Sequence, residues 1–329
     1  MDDHLRRNPS DGMDRRTLLL AAASLGAGAL AAGCGGSEGA AVRVTHGAPQ
    51  AIALGRWRKR ARLPSPRAEA AVVGHRDRVH VLGGATSASL AAASHETYDP
   101  HTDDWRVVAA LPRAVRGVGA ATGQGRIYLA GGVDGTRRAV REAYVYDAQA
   151  DEWAALPALP AAAAAPALVV VEELLVAVSG SRVWMLSAGA GRWAQGARAK
   201  AARSRPAVVA LENVVHVIGG REGRTPSNRH DVYNPWQDEW FDAAPIPTAR
   251  SSAAAAVLGG QALVAGGIGR NGLTARTEAY DRRTDMWTSL APLPVARRGA
   301  GAAVVGRTLH VAGGGARTPG ARHDAFTRQ

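Results

Sequence analysis

Six tryptophans recur along the chain at nearly equal intervals. They are Trp57, Trp105, Trp153, Trp193, Trp240 and Trp287, separated by 48, 48, 40, 47 and 47 residues. A period near 50 residues means stacked copies of one supersecondary unit, each leaving an apolar face bare unless a neighbour covers it. Such a period constrains architecture and leaves activity open, because the residues that recur are packing and turn residues.

Three intervals inside the repeat are constant. Six residues after each Trp comes Leu63, Leu111, Leu159, Ala199, Ile246 or Leu293. Twenty residues later a glycine pair begins, at Gly83, Gly131, Gly219, Gly266 and Gly313, with Ser179 taking that place once. Seven residues before each of the last five tryptophans stands Tyr98, Tyr146, Leu186, Tyr233 or Tyr280. The gap from glycine pair to aromatic is instead 15, 15, 7, 14, 14 and 13, the last reaching Phe326. Length variation is thereby confined to one loop per copy, and loops both tolerate insertion and carry binding groups.

Each copy reads as four short strands. In the first, residues 69–73 and 78–82 alternate apolar with polar about the turn 74–77, and 95–98 and 105–108 flank the turn formers Asp99, Pro100, His101, Thr102 and Asp103. Four antiparallel strands per copy, set around an axis, make a β-propeller blade. The motif Val79-His80-Val81-Leu82-Gly83-Gly84, with Tyr98-Asp99-Pro100 and Trp105, resembles the kelch repeat. Residues 127–132 with Tyr146-Asp147 and Trp153 repeat it, and the resemblance runs from about Gly55 to Thr327. The third copy is degenerate, with Ser179-Gly180, Leu186 and almost no loop between them.

The last copy ends at Gln329 before its Trp, whereas Trp57 has no matching strands before it. The expected fold is therefore an all-β, six-bladed kelch-type propeller over 51–329. An N-terminal outer strand completes the C-terminal blade and leaves no bare ring edge.

Residues 1–33 read as a targeting segment. Arg15-Arg16 precedes an apolar run from Thr17 to Ala32 that is short for a membrane span, and the true start is as well placed at Met13 as at Met1. Ala31-Ala32-Gly33-Cys34 is similar to a bacterial lipobox, and the arginine pair with Thr17-Leu18-Leu19 resembles a twin-arginine export signal. Asp14 departs from that signal, and Leu30 lies four rather than three residues before the cysteine. Cys34 is the only cysteine, which excludes an internal disulfide, and lipidation there gives it a role. Residues 34–50 are then the lipidated cysteine and a tether, with 42–50 unassigned. The location implied is the outer face of a bacterial cytoplasmic membrane, or the periplasm.

The net charge of +12 survives removal of residues 1–33, which hold four arginines and four aspartates. An exported chain excludes nucleic acid as a partner. The densest basic cluster is Arg56, Arg58, Lys59, Arg60 and Arg62 on the closing strand, an ordinary solvated edge or a contact for anionic headgroups.

A second recurrence concerns function. Sixteen residues before the glycine pair come Arg67, Arg203, Arg250 and Arg297, with Arg116 displaced by one and Ala163 in the third copy. Three residues before the aromatic come His95, His230 and His323, followed by Glu96, Asp231 and Asp324, and Glu278 matches the acid in the fifth copy. His80, His216 and His310 take the place of Tyr128 and read as packing residues. Two readings of the arginines follow. Guanidiniums converging on the channel mouth would bind a carboxylate, phosphate or sulfate, such as an acidic glycan or wall component. Alternatively each pairs with a carboxylate or carbonyl of a neighbouring blade and ties the ring, the role repeat-wide residues usually have.

The sequence implies no metal and no cofactor. Galactose-oxidase-type copper chemistry, which the kelch resemblance raises, needs a cysteine cross-linked to tyrosine and is excluded by Cys34 standing alone. The function expected is a ligand-binding or protein-interaction module. The enzyme alternative is a carbohydrate mutarotase or epimerase, similar to a sialic acid mutarotase, drawing an acid or base from among His95, Glu96, His230, Asp231, Glu278, His323 and Asp324.

Overall fold

The computed structural model describes residues 54–328, which belong to the compact unit Ala51–Gln329. The leader, Cys34 and the tether lie outside the described residues. The described chain is all β, and its principal elements are six four-stranded antiparallel sheets in a propeller arrangement. Sheet one comprises Ala71–His75, Arg78–Leu82, His95–Asp99 and Asp104–Val107. Sheet two comprises Gly119–Gly123, Arg126–Ala130, Ala143–Asp147 and Glu152–Leu156. Sheet three comprises Ala167–Val171, Leu174–Ser179, Arg182–Leu186 and Ala194–Gly196. Sheet four comprises Ala207–Leu211, Val214–Ile218, His230–Asn234 and Glu239–Asp242. Sheet five comprises Ala254–Leu258, Gln261–Ala265, Thr277–Asp281 and Met286–Leu290. Sheet six comprises Arg298–Val305, Thr308–Gly315 and His323–Thr327, with Arg56–Lys59 as its fourth strand.

The constant seven-residue interval is a pairing register. Tyr98 lies opposite Trp105, Tyr146 opposite Trp153, Tyr233 opposite Trp240 and Tyr280 opposite Trp287, across the third and fourth strands. A turn of fixed geometry sets this register, because Asp99, Asp147, Asn234 and Asp281 each accept the backbone N–H two residues on. In sheet six the same pair forms between residues far apart in sequence, with Phe326 opposite Trp57 and ring centroids 5.1 Å apart.

Each indole then does a second job. A half-buried indole N–H needs an acceptor, and here it donates to the chain leaving the preceding sheet. Trp105 bonds to Ala61 O at 3.0 Å, Trp153 to Ala109 O at 3.1 Å and Trp193 to Pro157 O at 2.7 Å. Trp240 bonds to Ala197 O at 2.9 Å, Trp287 to Ala244 O at 2.8 Å and Trp57 to Ala291 O at 2.8 Å. Four tyrosines add a parallel link. The Tyr98, Tyr146, Tyr233 and Tyr280 hydroxyls donate to Asp103, Asp151, Asp238 and Asp285, which also accept backbone N–H groups of Ala61, Ala109, Ala197 and Ala244.

The glycine pair links sheets at the other end. Gly83 (φ 61°) and Gly84 (φ 101°) take backbone conformations that L side chains rarely adopt, and a Cβ on Gly83 would lie 2.5 Å from Val115 O of the next copy. The Gly84 N–H donates to that same carbonyl at 2.8 Å, and Gly132, Gly220, Gly267 and Gly314 make the equivalent bond. Around the axis each first strand packs between the first strands of two neighbouring sheets, that of sheet one lying between those of sheets two and six. These strands are rich in Ala and Gly because their backbones approach closely, as at Gly119, whose added Cβ would lie 2.8 Å from Pro166 O.

Candidate functional site

A cavity of about 760 Å³ runs along the axis, and all six first strands line it. Its wall is mostly Ala and Gly, so the charged groups in it stand out: Glu69, Arg116, Arg205 and Arg221, with part of Arg203. Glu69 is the anion of this set. Its carboxylate accepts from Arg116 Nη1 at 2.5 Å and from Arg205 Nη1 at 2.5 Å, so it bridges the guanidiniums of two other copies. Burial raises its carboxyl, but the attraction of Arg205 and the bonds from both arginines outweigh that and hold it below the usual range.

The backbone explains why these side chains enter the channel. Two residues past the recurrent arginine position, Glu69, Gly117, Arg205, Ser252 and Gly299 all have φ between 53° and 62°. The left-handed turn aims each amide at the preceding copy: Gly117 N–H donates to Glu69 O at 2.7 Å, Glu69 N–H to Gly299 O at 2.9 Å, Gly299 N–H to Ser252 O at 3.0 Å and Ser252 N–H to Arg205 O at 3.0 Å. The belt spans five copies and omits the degenerate third. Glycine adopts this conformation freely, whereas Glu69, Arg205 and Ser252 hold it at a cost of order 1 kcal/mol or more each. The strand expected at 69–73 accordingly begins later, at Ala71.

The recurrent arginines themselves lie elsewhere. Arg67, Arg203, Arg250 and Arg297 are buried and turn back into their own sheets, where each meets the acid of the third strand. Arg67 pairs with Glu96 and Arg203 with Asp231, both at 2.5 Å; Arg250 pairs with Glu278 at 2.7 Å and Arg297 with Asp324 at 2.9 Å. The partner is in the same sheet, not in a neighbouring one. The remaining guanidinium donors bond backbone carbonyls, and those of Arg67 and Arg203 grip both ends of the variable loop. Arg67 reaches Gly83 O at 3.2 Å and Ser94 O at 3.0 Å, and Arg203 reaches Gly219 O and Arg229 O at 2.9 Å each. A clamp at the base of the loop lets its length vary without disturbing the sheet.

Burial lowers the Arg250 guanidinium to about 10, against the attraction of Glu278, so it stays charged at neutral pH. The sequence held a signal for this pairing. Arginine and acid occur together in four copies and vanish together in the other two, where Val115 faces the Tyr144 position and Ala163 the Trp184 position. Arg116, the displaced member, lines the channel together with part of Arg203.

The histidines form buried pairs between sheets. His80 and His95 lie 2.9 Å apart, His216 and His230 2.8 Å, and His310 and His323 3.0 Å. His95 Nδ1 bonds to Ala109 O at 3.2 Å, so in the neutral ring Nε2 accepts from His80 Nδ1. Each second ring stacks edge-on against the next copy's tyrosine, His95 on Tyr146, His230 on Tyr280 and His323 on Tyr98. These rings are packing groups. The acids Glu96, Asp231, Glu278 and Asp324 are each held by an arginine.

The kelch motif model matches residues 114–160, 202–247 and 249–294, the stretches that build sheets two, four and five. This is a kelch-repeat chain. No curated protein matches it. Kelch repeats commonly build protein-interaction modules, and here arginine clamps and histidine pairs fill part of the scaffold.

Two consequences are measurable. Removing one partner of a buried ion pair strands the other, whereas replacing both by packed apolar groups is often neutral. Glu278→Ala should therefore lower unfolding free energy by about 3–5 kcal/mol, while Arg250→Val with Glu278→Tyr, copying kelch sheet two, should recover most of it in chemical denaturation. Burial drives the second: it lowers His80, His216 and His323 to about 3 and His95, His230 and His310 to about 4, from 6.5. The unfolded chain takes up protons near pH 6.5 and the folded one only below about 4, so stability is intact above pH 6.5 and falls as pH drops. The slope approaches about 1.4 kcal/mol per pH unit per ring. Replacing one pair by the residues of sheet five, His216→Leu with His230→Thr, should flatten that dependence in denaturation midpoints measured from pH 7 to pH 4.

Proposed function

We propose that this chain is an exported, lipid-anchored kelch propeller of six blades, its ring completed by the Trp57 strand, and that its channel face binds an anionic partner. Pairing of Arg56–Lys59 with His323–Thr327 and the indole bond from Trp57 to Ala291 support the completed ring. The leader, Cys34 and the tether support the exported, membrane-anchored location on the outer face of a bacterial cytoplasmic membrane or in the periplasm.

The observation that carries the binding reading is Glu69 bridging Arg116 and Arg205 inside the channel. In a water-filled channel this carboxylate shows the arginines what an incoming ligand would offer them, a planar anion between two guanidiniums. The surrounding face has the matching sign. Strands alternate in direction, so the loops after the second strands open beside the channel mouth. They carry Arg137, Arg138, Arg141, Arg221, Arg224, Arg270, Arg276 and Arg317 against Asp134, Glu142 and Glu222. The turns at the opposite face hold acids instead, among them Asp99, Asp147, Glu172, Glu212 and Asp281. The partner this favours is an acidic glycan, a carboxylate-bearing wall fragment or an acidic protein segment.

With an oligogalacturonate as probe, Arg116→Ala and Arg205→Ala should each weaken binding about tenfold or more by calorimetry, the worth of a charge-assisted hydrogen bond. Glu69→Gln should tighten it, because the competing carboxylate is gone. Unchanged affinity in all three variants would remove the channel from the reading.

A further inference from the structure

The junction between sheets two and three is built unlike the other five. At each of the others the space between facing sheets receives an aromatic ring from the following sheet: Tyr146, Tyr233, Tyr280, Phe326 or Tyr98. At three of those five, a histidine pair packs against it. At this junction the tyrosine position holds Leu186 and the position of His95 holds Ala143, while the buried Trp184 of the following sheet clusters with Ala121, Ala130 and Ala143 of sheet two. The turn Ser187–Gly191, in the place Asp99–Asp103 takes in sheet one, is written in small residues and sends no large side chain into the gap. What remains is a cleft of about 350 Å³, separate from the axial channel and within the size range of small-molecule sites.

Its walls are apolar. Val145 and Leu156 of sheet two face Val170, Leu175 and Leu186 of sheet three, with Ala190 closing one end. Two packed sheets stand about 10 Å apart, so Leu186 in place of a tyrosine ring leaves a slot suited to a flat apolar body at that position. The rim carries Gln124, Arg126, Tyr128 and Glu173. The Arg126 guanidinium is already held by Asp147 at 3.2 Å. Glu173 is exposed and has no ion-pair partner among the described residues, so the uncompensated charge at the mouth is negative.

We propose that this cleft is a second binding site, for a small molecule that joins an aromatic ring to a short cationic arm, an arylalkylamine. The ring occupies the place an aromatic side chain takes at the other junctions, and the ammonium meets the Glu173 carboxylate with Tyr128 and Gln124 beside it. Neither the channel nor its arginines take part, so this proposal stands or falls independently of the channel reading.

Tryptamine is the direct probe and indole-3-acetate, the same ring with the opposite charge, its control. With the full chain, tryptamine should bind saturably with a Kd at or below about 1 mM by calorimetry. Its amide perturbations in NMR spectra should fall within 124–128, 170–175 and 186–190. Glu173→Gln should weaken tryptamine about threefold to fivefold, the range of an exposed charge pair, and indole-3-acetate should bind more weakly than tryptamine. Val145→Phe with Leu186→Phe, which narrows the slot from both walls, should abolish binding and leave the melting temperature unchanged or raised. Absence of saturable tryptamine binding, perturbations confined to channel residues, equal binding of indole-3-acetate, or undiminished binding to a folded double-phenylalanine variant would each overturn the proposal. Should that variant fail to fold, the perturbation map on the unsubstituted chain decides.

Discussion

A four-stranded sheet with two apolar faces has no stable existence alone, and the bond that recruits its neighbour here is the indole N–H. Each of the six recurrent tryptophans sits on or just before the outermost strand, where an unmet donor would be costly. It resolves this by reaching the carbonyl of the segment leaving the preceding sheet. One such bond contributes on the order of 1 kcal/mol. Its importance lies in position: six of them hold the outer end of every junction, with Tyr-to-Asp links beside four, and glycine amides hold the inner end of five.

That framework explains why the polar residues of the interior differ from copy to copy while the tryptophan does not. Buried ion pairs and histidine pairs are interchangeable with apolar sets of similar volume, as Val115 with Tyr144 and Leu263 with Thr277 demonstrate within this one chain. Each choice nevertheless constrains its surroundings. In the first and fourth copies the arginine clamp fixes both ends of the loop and frees its middle. The third copy lacks clamp, histidine pair and recurrent tyrosine together, and it is also where the channel belt is interrupted and the side cleft opens. Loss of repeat residues and gain of recognisable space coincide there.

Much of the fold was legible because its signals are registers. The interval from Tyr98 to Trp105 is a turn plus two paired strands, and it reappears wherever the turn does. The second strand at Arg78–Leu82 follows directly from alternation. The first strand was read two residues early because nothing local marks Glu69 as left-handed; its φ of 57° answers an amide-to-carbonyl bond from another copy. The candidate arginines were legible as a set, and so were the acids, but their partnership lies across a loop of variable length. Neither reading of them, as channel groups or as ties to a neighbouring blade, had the partner in the same sheet, where a residue beginning an inner strand can point back. Glu69 and Arg205, which do face the channel, recur as a backbone conformation and not as a residue type.

The account rests on one strand holding the two ends of the repeat array together, since Trp57 is the only indole whose partner residues, Phe326 and Ala291, come from the far end of the chain. The most direct measurement is thermal unfolding of a chain beginning at Leu63 beside one beginning at Ala51. The longer chain should melt in a single cooperative transition, and the shorter should lose that transition or melt well below it. Identical midpoints for the two would show that sheet six and its neighbours hold together without the Trp57 strand, and the ring as described here would be wrong.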